Sequence, residues 1–428
     1  MINFSLQWHI TQKCGNRCRH CYMDDASYDL TFEDYIVCIE NIRNFENKHS
    51  FNVSSVTLTG GDPFLNSEWY KISKDLVTRK KRIMFLGNPE LLTEDNLNKL
   101  SKLPTLRYQL SIDGMQKTHD YIRSPGSFER TIEGIRKLNA HKIPIAIMFT
   151  LSDVNCAELF DVIRYLDSLQ IKLLFAFDFV ISTGHAKDNN IRNTSNVLSL
   201  YDEYLKLKNE LFNKGSKVFL TEKPSTLYVH KNRNRLNEVV IKRIPFSMCG
   251  GCGAGWRHLT IVGKGDVLAC RRMPVKVGNL FEDSFESILL NSPFLKELRN
   301  TKKMGACSTC LYRKFCRGCP ADTYSHFGVP FNDSTNCPWY TAFSEEISKD
   351  VSECGELEKL NNSVYELNMY SRCYENNDFI KAMIVLRSEQ ERKLLLSDST
   401  VWKQKHSLQL NENEIGVLIC YLLENHFR

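Results

Sequence analysis

Short apolar, β-branched runs alternate with amphipathic stretches over the first 200 residues, and this alternation leaves the chain few architectures. The runs are Phe4–Ile10, Val53–Leu58, Arg82–Leu86, Leu106–Ile112, Ile143–Leu151 and Lys172–Ile181. Between them the spacing predicts helices near 31–47, 67–80, 93–102, 128–140 and 155–169, with a sixth at 196–213. Six strand–helix repeats joined by short links require a parallel sheet, because each helix must carry the chain back before the next strand starts. A partial barrel and an open doubly wound sheet both satisfy the pattern. In either, chemistry belongs at the C-terminal ends of the strands. Cys14 follows the first run, Gly60–Pro63 the second and Asp113–Gly114 the fourth.

Cysteine is the unusual component, with 16 in 428 residues. The start, MINFSLQWHITQKC, lacks the basic end, apolar core and small-residue cleavage site of an export signal, so a cytoplasmic location is expected. Reducing cytosol makes disulfides a poor explanation and leaves metal binding or catalysis. Three cysteines fall close together near the start: Cys14, Cys18 and Cys21. Eight more lie between positions 249 and 337: Cys249, Cys252, Cys270, Cys307, Cys310, Cys316, Cys319 and Cys337. The scattered Cys38, Cys156, Cys354, Cys373 and Cys420 read as small buried hydrophobes.

Composition closes off other classes. With 42% hydrophobic and 25% charged residues, 12 prolines and 21 glycines, the chain is not collagen-like, low-complexity or wholly disordered. No apolar run of about 18 residues exists, so no membrane-spanning helix is expected. A net charge of +6 is too mild to argue for nucleic acid. Residues 214–243 hold eight Lys/Arg against two Asp/Glu and read as a solvated basic connection, with contact to an acidic substrate or cofactor as the alternative.

Cys14-Gly-Asn-Arg-Cys18-Arg-His-Cys21 is a C-x3-C-x2-C loop following a strand. Three thiolates on one loop can hold three irons of a [4Fe–4S] cluster and leave the fourth iron open to a chelating substrate. A structural zinc site would need a fourth protein ligand, and His20 stands too close to Cys21 to supply it easily. Gly60-Gly61-Asp62-Pro63 lets a ligand approach backbone closely, and its acid can fix an amino group, although such turns also occur without ligands. Ser111 and Asp113 add a hydroxyl and a carboxylate, and Arg123 suits a ligand carboxylate. The later set, Cys307-x2-Cys310-x5-Cys316-x2-Cys319, fits zinc and iron–sulfur equally when taken alone. Eight cysteines suffice for two four-thiolate clusters.

The residues from about 4 to 210 resemble the radical S-adenosylmethionine (radical SAM) enzymes, whose C-x3-C-x2-C signature follows the first strand of a partial (β/α)6, TIM-like barrel. The resemblance implies that Cys14, Cys18 and Cys21 ligate the cluster, with His20 beside the adenine. It implies that Gly60, Gly61 and Asp62 match the stretch that binds the methionine amino group, with Pro63 beside them at the cofactor, although the third position is more often Glu. Ser111 and Arg123 match the ribose and carboxylate contacts of the peptide-modifying branch, and Asp113 beside them is expected at the cofactor. The reaction it implies is reductive cleavage of SAM to a 5′-deoxyadenosyl radical that abstracts hydrogen. An external electron donor such as flavodoxin or ferredoxin is implied with it.

The second cysteine set resembles the SPASM extension of these enzymes. It implies one auxiliary [4Fe–4S] cluster on Cys249, Cys252, Cys270 and Cys319 and another on Cys307, Cys310, Cys316 and Cys337, three clusters in all. The departure is at Cys316-Arg-Gly-Cys319, with two intervening residues where the family has three. Both auxiliary clusters are expected to be fully protein-ligated, to form an electron route and to tie the segment together without a large hydrophobic core.

The expected organisation is a barrel over 1–213, a basic bridge over 214–248, the SPASM domain over 249–354 and an α/β extension over 355–428. The leading expectation is an enzyme that matures a ribosomally made peptide by a thioether or C–C cross-link. One alternative is a sulfatase maturase, whose family places Asp after the cysteine matching Cys270; here that residue is Arg271, which counts against it. A tetrapyrrole side-chain enzyme is another. A non-catalytic iron–sulfur electron carrier would not need Gly60–Pro63, Ser111 and Arg123. The chain opens at its first strand, so leader-peptide recognition is expected at 355–428, on a separate leader-binding protein, or at the barrel mouth. Phe379–Leu386 and Ile415–Leu423 are apolar enough to fold there.

Overall fold

The computed structural model describes residues 4–23, 28–49, 52–194, 197–232, 251–300, 303–308, 310, 316–332, 337, 394 and 398–410. Ten strands form one sheet: β1 (Phe4–Thr11), β2 (Val53–Gly60), β3 (Arg82–Leu86), β4 (Thr105–Ser111), β5 (Ile145–Leu151), β6 (Leu173–Phe179), β7 (Val218–Leu220), β8 (His258–Val262), β9 (Asp266–Cys270) and β10 (Met273–Asn279). Their spatial order is β10-β9-β8-β1-β2-β3-β4-β5-β6-β7. From β1 to β7 each strand lies parallel to the next. The run β1 to β6 never reverses its order, which decides between the two candidate architectures. A doubly wound sheet reverses at a switch point; a partial barrel does not. This is a partial barrel.

Helices return the chain after each strand. They are α1 (Phe32–His49), α2 (Trp69–Thr78), α3 (Glu94–Ser101), α4 (Gln116–Ile122), α5 (Ser127–Ala140), α6 (Leu159–Ser168), α7 (His185–Asp188) and α8 (Val197–Asn213). In α1 the buried residues Tyr35, Cys38, Ile39, Ile42 and Phe45 recur every three or four positions and form one stripe against the sheet. Strand β1 sorts its side chains by alternation: Trp8 faces α1, its ring 5.2 Å from that of Tyr35, while Gln7 and His9 turn to the inner face. Strand β5 begins at Ile145, two residues later than expected, with Pro144, which lacks an N–H for the ladder, just before it. The expected helix at 155–169 divides into a 3₁₀ turn at Cys156–Glu158 and α6.

The cysteine-rich region departs from expectation: it is not core-poor. Strand β8 pairs in parallel with the free side of β1, so β1 becomes a central strand instead of an exposed edge. Leu259, Ile261, Val267, Ala269, Met273, Leu280, Phe285 and Ile288 belong to the same hydrophobic core as the barrel. The Phe285 ring stands 6.2 Å from that of Phe4 and 5.4 Å from that of Phe45. Asn41 on α1 donates from Nδ2 to the carbonyls of Leu280 and Asp283, both at 2.8 Å. The basic stretch also contributes structure, since β7 pairs with β6. Further helices are α9 (Phe285–Asn291), α10 (Pro293–Arg299), α11 (Pro320–Phe327) and α12 (Ser399–Lys405).

Cys38 is buried and Cys156 packs half-buried against the core. Cys354, Cys373, Cys420, Phe379–Leu386 and Ile415–Leu423 lie outside the described residues, as does Cys249. Among the described residues, no helix is long and apolar enough to cross a membrane.

Candidate active site

A cavity of about 400 Å³ opens at the C-terminal ends of the barrel strands. Period-two alternation aims Thr59, Gln109, Ser111, Met148, Thr150 and Asp178 into it from four strands. The loop after β1 supplies Cys14, Cys18, His20 and Cys21. This volume lies within the ordinary range for small-molecule sites.

The cysteine loop is held by backbone. Gly61 N donates to Thr11 O at 3.1 Å and Asp62 N to Lys13 O at 2.8 Å, so the turn after β2 is fastened to the loop after β1. A Cβ on Gly60 would stand 1.8 Å from Thr11 O, and φ there is +136°. One on Gly61 would stand 2.0 Å from Lys13 O. Both positions require glycine. Gly60→Ala is therefore expected to destabilise the fold by at least about 3 kcal/mol, combining backbone strain with the clash. Anaerobic urea denaturation reads this, and an unchanged midpoint would refute it.

The acid of this turn does not face the cavity. Asp62 is buried; its Oδ1 accepts from Phe64 N at 2.9 Å and its Oδ2 from Asn88 N at 2.7 Å. Burial pushes its pKa up to about 6, against the pull of those N–H groups. Pro63 begins the following 3₁₀ turn and is buried as well. Gly60 and Gly61 line the cavity, while Asp62 and Pro63 shape the turn behind them.

Asp113 does not line the cavity either. It is fully buried behind the lining. Its Oδ2 accepts from Arg123 Nε at 2.6 Å and from His20 Nε2 at 3.0 Å, and its Oδ1 accepts from Thr150 N at 2.7 Å. Burial alone would raise its pKa, but Arg123 and His20 hold it well below the usual carboxylate range. His20, Ser111 and Arg123 line the cavity.

The sulfurs meet donors. Asn16 N points to Cys14 Sγ at 3.4 Å, Asn88 Nδ2 to Cys14 Sγ at 3.5 Å, and Arg123 Nη1 to Cys18 Sγ at 3.8 Å. Burial pushes the Cys18 thiol up to about 11; Arg123 opposes this and the neighbouring Cys21 and Cys14 add to it. Three thiols on one loop, with Cys18 sensitive to the other two and donors meeting the Cys14 and Cys18 sulfurs, fit a polynuclear iron–sulfur cluster. Among the described residues, no three His, Cys, Asp or Glu side chains converge as one chelated ion requires. In a four-iron cluster each thiolate takes a different iron.

Two supports were missed from sequence. Asn88 follows β3 and touches both Asp62 and Cys14. His185, after β6, donates from its backbone N to Cys21 O at 2.8 Å, and its Nδ1 lies 3.2 Å from Cys18 O. Their only signal was position, since both follow a strand C-terminus in Gly-Asn-Pro and Thr-Gly-His.

The later cysteines fall into separate groups. Cys252, Cys270 and Cys319 influence one another, with Arg272 beside them. Cys316 feels Cys337, and its Sγ lies 3.3 Å from Ser225 Oγ. Arg317 and Gly318 both have positive φ, +61° and +63°. Two consecutive left-handed residues send Cys316 and Cys319 to different groups despite the short spacing. A Cβ on Gly318 would stand 2.9 Å from Cys307 Sγ, so glycine leaves that sulfur its room. Cys307 and Cys310 share a turn, with Cys310 N donating to Cys307 O at 3.3 Å.

Comparison with known proteins gives the class. Residues 8–166 match the radical SAM superfamily and residues 252–311 the SPASM iron–sulfur cluster-binding domain. The AdoMet-dependent heme synthase of Methanosarcina barkeri is 27% identical over 78% of this chain and 95% of that protein. The antilisterial bacteriocin subtilosin biosynthesis protein AlbA of Bacillus subtilis is 24% identical over 73% of this chain and 66% of that protein. Among solved structures, Streptococcus suis SuiB bound to S-adenosylmethionine superposes with a TM-score of 0.63 at 16% identity, covering 78% of this chain and 77% of that one. Native anSMEcpe with bound AdoMet superposes at 0.62 and 18% identity, covering 85% and 99%. The chain is a radical SAM enzyme with a C-terminal SPASM domain. SAM and [4Fe–4S] clusters are the cofactors these two domains imply.

Proposed function

We propose that this enzyme matures a ribosomally synthesised peptide by closing a thioether or C–C cross-link. The observation that carries the reading is where the second cysteine set stands. Arg272 lines the barrel cavity, contacts Asp178 and Phe179 at the end of β6, and lies beside Cys252, Cys270 and Cys319. Closing either bond removes two hydrogens, so one electron must leave after hydrogen abstraction. A thiolate-ligated group next to the substrate cavity gives it a route.

In this reading Cys14, Cys18 and Cys21 hold one [4Fe–4S] cluster with an iron free for SAM. Cys249, Cys252, Cys270 and Cys319 hold a second, and Cys307, Cys310, Cys316 and Cys337 a third. The grouping of Cys252 with Cys270 and Cys319, and of Cys316 with Cys337, supports this partition. When bound, SAM and the first cluster supply a 5′-deoxyadenosyl radical able to abstract hydrogen from an unactivated C–H bond. The chain's own residues bind, orient and shield. The Gly60–Gly61 backbone meets the methionine amino group, Ser111 the ribose, and Arg123 the carboxylate, with His20 beside the adenine. Asp62 and Asp113 are positioning residues. Leu86, Met148, Val180 and Ile181 give the cavity an apolar lining that limits stray water.

An external one-electron donor such as flavodoxin or ferredoxin, and a precursor peptide with a leader, are the partners this reading requires. The likeness to AlbA, named for bacteriocin biosynthesis, supports it. A second reading, chemistry on a tetrapyrrole side chain, is favoured by the likeness to the heme synthases. The test offers the reconstituted enzyme, with SAM and dithionite, a short Cys-containing peptide encoded beside it or a porphyrin tetracarboxylate. Loss of two hydrogens per cross-link from the peptide, seen by mass spectrometry, is the expected result. Decarboxylated porphyrin with unchanged peptide would replace this reading by the second.

A further inference from the structure

Four ionisable side chains from three elements gather at one end of the cavity: Asp178 on β6, Lys223 after β7, and Arg271 and Arg272 between β9 and β10. Three are cationic and one is anionic. Asp178 is fully engaged: Oδ2 receives Lys223 Nζ at 3.3 Å and Arg272 Nη2 at 3.4 Å, and Oδ1 receives Phe179 N at 3.0 Å. Burial would raise its pKa, but Arg272 and Lys223 bring it to about 2, so it is ionised. Arg272 is also engaged, donating to Phe179 O at 3.1 Å and facing Cys319, Cys270 and Cys252.

Arg271 is different. Its charge is felt at His9, Tyr22, His258 and Lys223. Its guanidinium lies 5.2 Å from the centroid of the Tyr22 ring. Among the described residues it has no hydrogen-bond acceptor and no carboxylate partner. Burial, with the Arg271 charge, lowers His9 to about 3 and His258 to about 4, so both imidazoles are neutral.

A half-buried guanidinium without an acceptor carries a desolvation cost. Its planar fork matches a carboxylate in two parallel hydrogen bonds. We infer that Arg271, aided by Lys223, binds a carboxylate of the substrate at the barrel mouth, in the cavity that Cys14, Cys18 and Cys21 line. The substrate class is thereby carboxylate-bearing: an acidic residue of a peptide or a propionate of a tetrapyrrole presents the same group. This deepens the proposed function and rests on it only in placing substrate in this cavity. It also gives a reason for Arg where the sulfatase-maturase resemblance has Asp. A base there would take a proton, whereas this cation holds an anion.

The test uses the full-chain reconstituted holoenzyme with SAM, under anaerobic conditions, and two matched probe pairs. One pair is a short Cys-containing peptide with two Glu residues and its Gln counterpart. The other is a porphyrin tetracarboxylate and its tetramethyl ester. Calorimetry is expected to show at least one acid form binding roughly 10-fold or more tightly than its neutral partner, the lower end for hydrogen bonds to charged groups. The pair that discriminates identifies the source of the carboxylate. Arg271→Gln should bring that ratio close to one and Arg271→Lys restore part of it. Lys276→Gln, at an exposed β10 lysine paired with Asp266, should leave the ratio as it is. Equal affinity for acid and neutral forms in both pairs, in the unmutated enzyme, overturns the subsite. Cross-linked peptide obtained alongside equal affinities would remove the subsite and leave the proposed function standing. Acid discrimination without any peptide product would do the reverse.

Discussion

Replacing Cys14, Cys18 and Cys21 together with alanine is expected to reduce 5′-deoxyadenosine formation to background while leaving iron elsewhere in the protein. The expectation follows from placement. All three cysteines line the barrel cavity, together with Gly60, Gly61, Ser111 and Arg123. The later cysteines form their own groups, linked to the cavity through Arg272 rather than through these thiols. In the proposed assignment, losing the first set would remove the open coordination position without removing ligands from the others. The loop is held mainly by backbone bonds to Thr11 and Lys13, which alanine does not disturb, so the fold should survive. Anaerobic reconstitution, iron titration and a chromatographic 5′-deoxyadenosine assay under dithionite give the measurement. Undiminished SAM cleavage in the triple variant would sink the assignment of these residues.

The parts of the fold legible in sequence were those with local signals. Strand runs such as Phe4–Ile10 and Val53–Leu58 show apolar β-branched character directly, and the structure only lengthens them to Thr11 and Gly60. Helix α4 escaped because QKTHDYI is seven largely polar residues, too short to display a period. The pairing of β8 with β1 joins residues some 250 positions apart, from Ser5 to His258. No local pattern encodes such a contact, so the cysteine-rich segment read as a separate, core-poor unit.

The site was legible by residue type and less so by role. Cysteine spacing placed the loop, and glycine chemistry placed the turn. Asp62 and Asp113 were read as ligand contacts from their residue type and the family resemblance. Which way each carboxylate turns depends on donors brought by other strands: Asn88 for Asp62, and His20, Arg123 and Thr150 for Asp113. Arg271 was noticed only for the residue it replaced, since its lack of an acceptor is a property of the folded surroundings.

Asp113→Ala should therefore be among the most damaging single changes in the barrel, although Asp113 does not line the cavity. Alanine removes the acceptor shared by Arg123 and His20 and leaves the Arg123 guanidinium, itself only 13% exposed, without its carboxylate. Breaking a buried ion pair from one side costs about 3–5 kcal/mol, because the remaining charge stays desolvated. SAM affinity should fall as well, since Arg123 and His20 lose the atom that fixes both. Arg123→Ala should weaken SAM binding roughly 10- to 150-fold, the range for a lost charge-assisted hydrogen bond. The double variant should lose less stability than the two single losses added, because the second change removes a charge the first has already stranded. The pH dependence has a definite sign. Against burial, Arg123 and His20 hold the Asp113 carboxyl below its unfolded value of about 3.9, so its contribution is present above that pH and is lost as pH falls further. Asp113→Asn should flatten that acid limb. Urea denaturation from pH 3 to 7, with SAM binding by calorimetry, measures both effects, and full additivity in the double variant would show that Asp113 and Arg123 act independently.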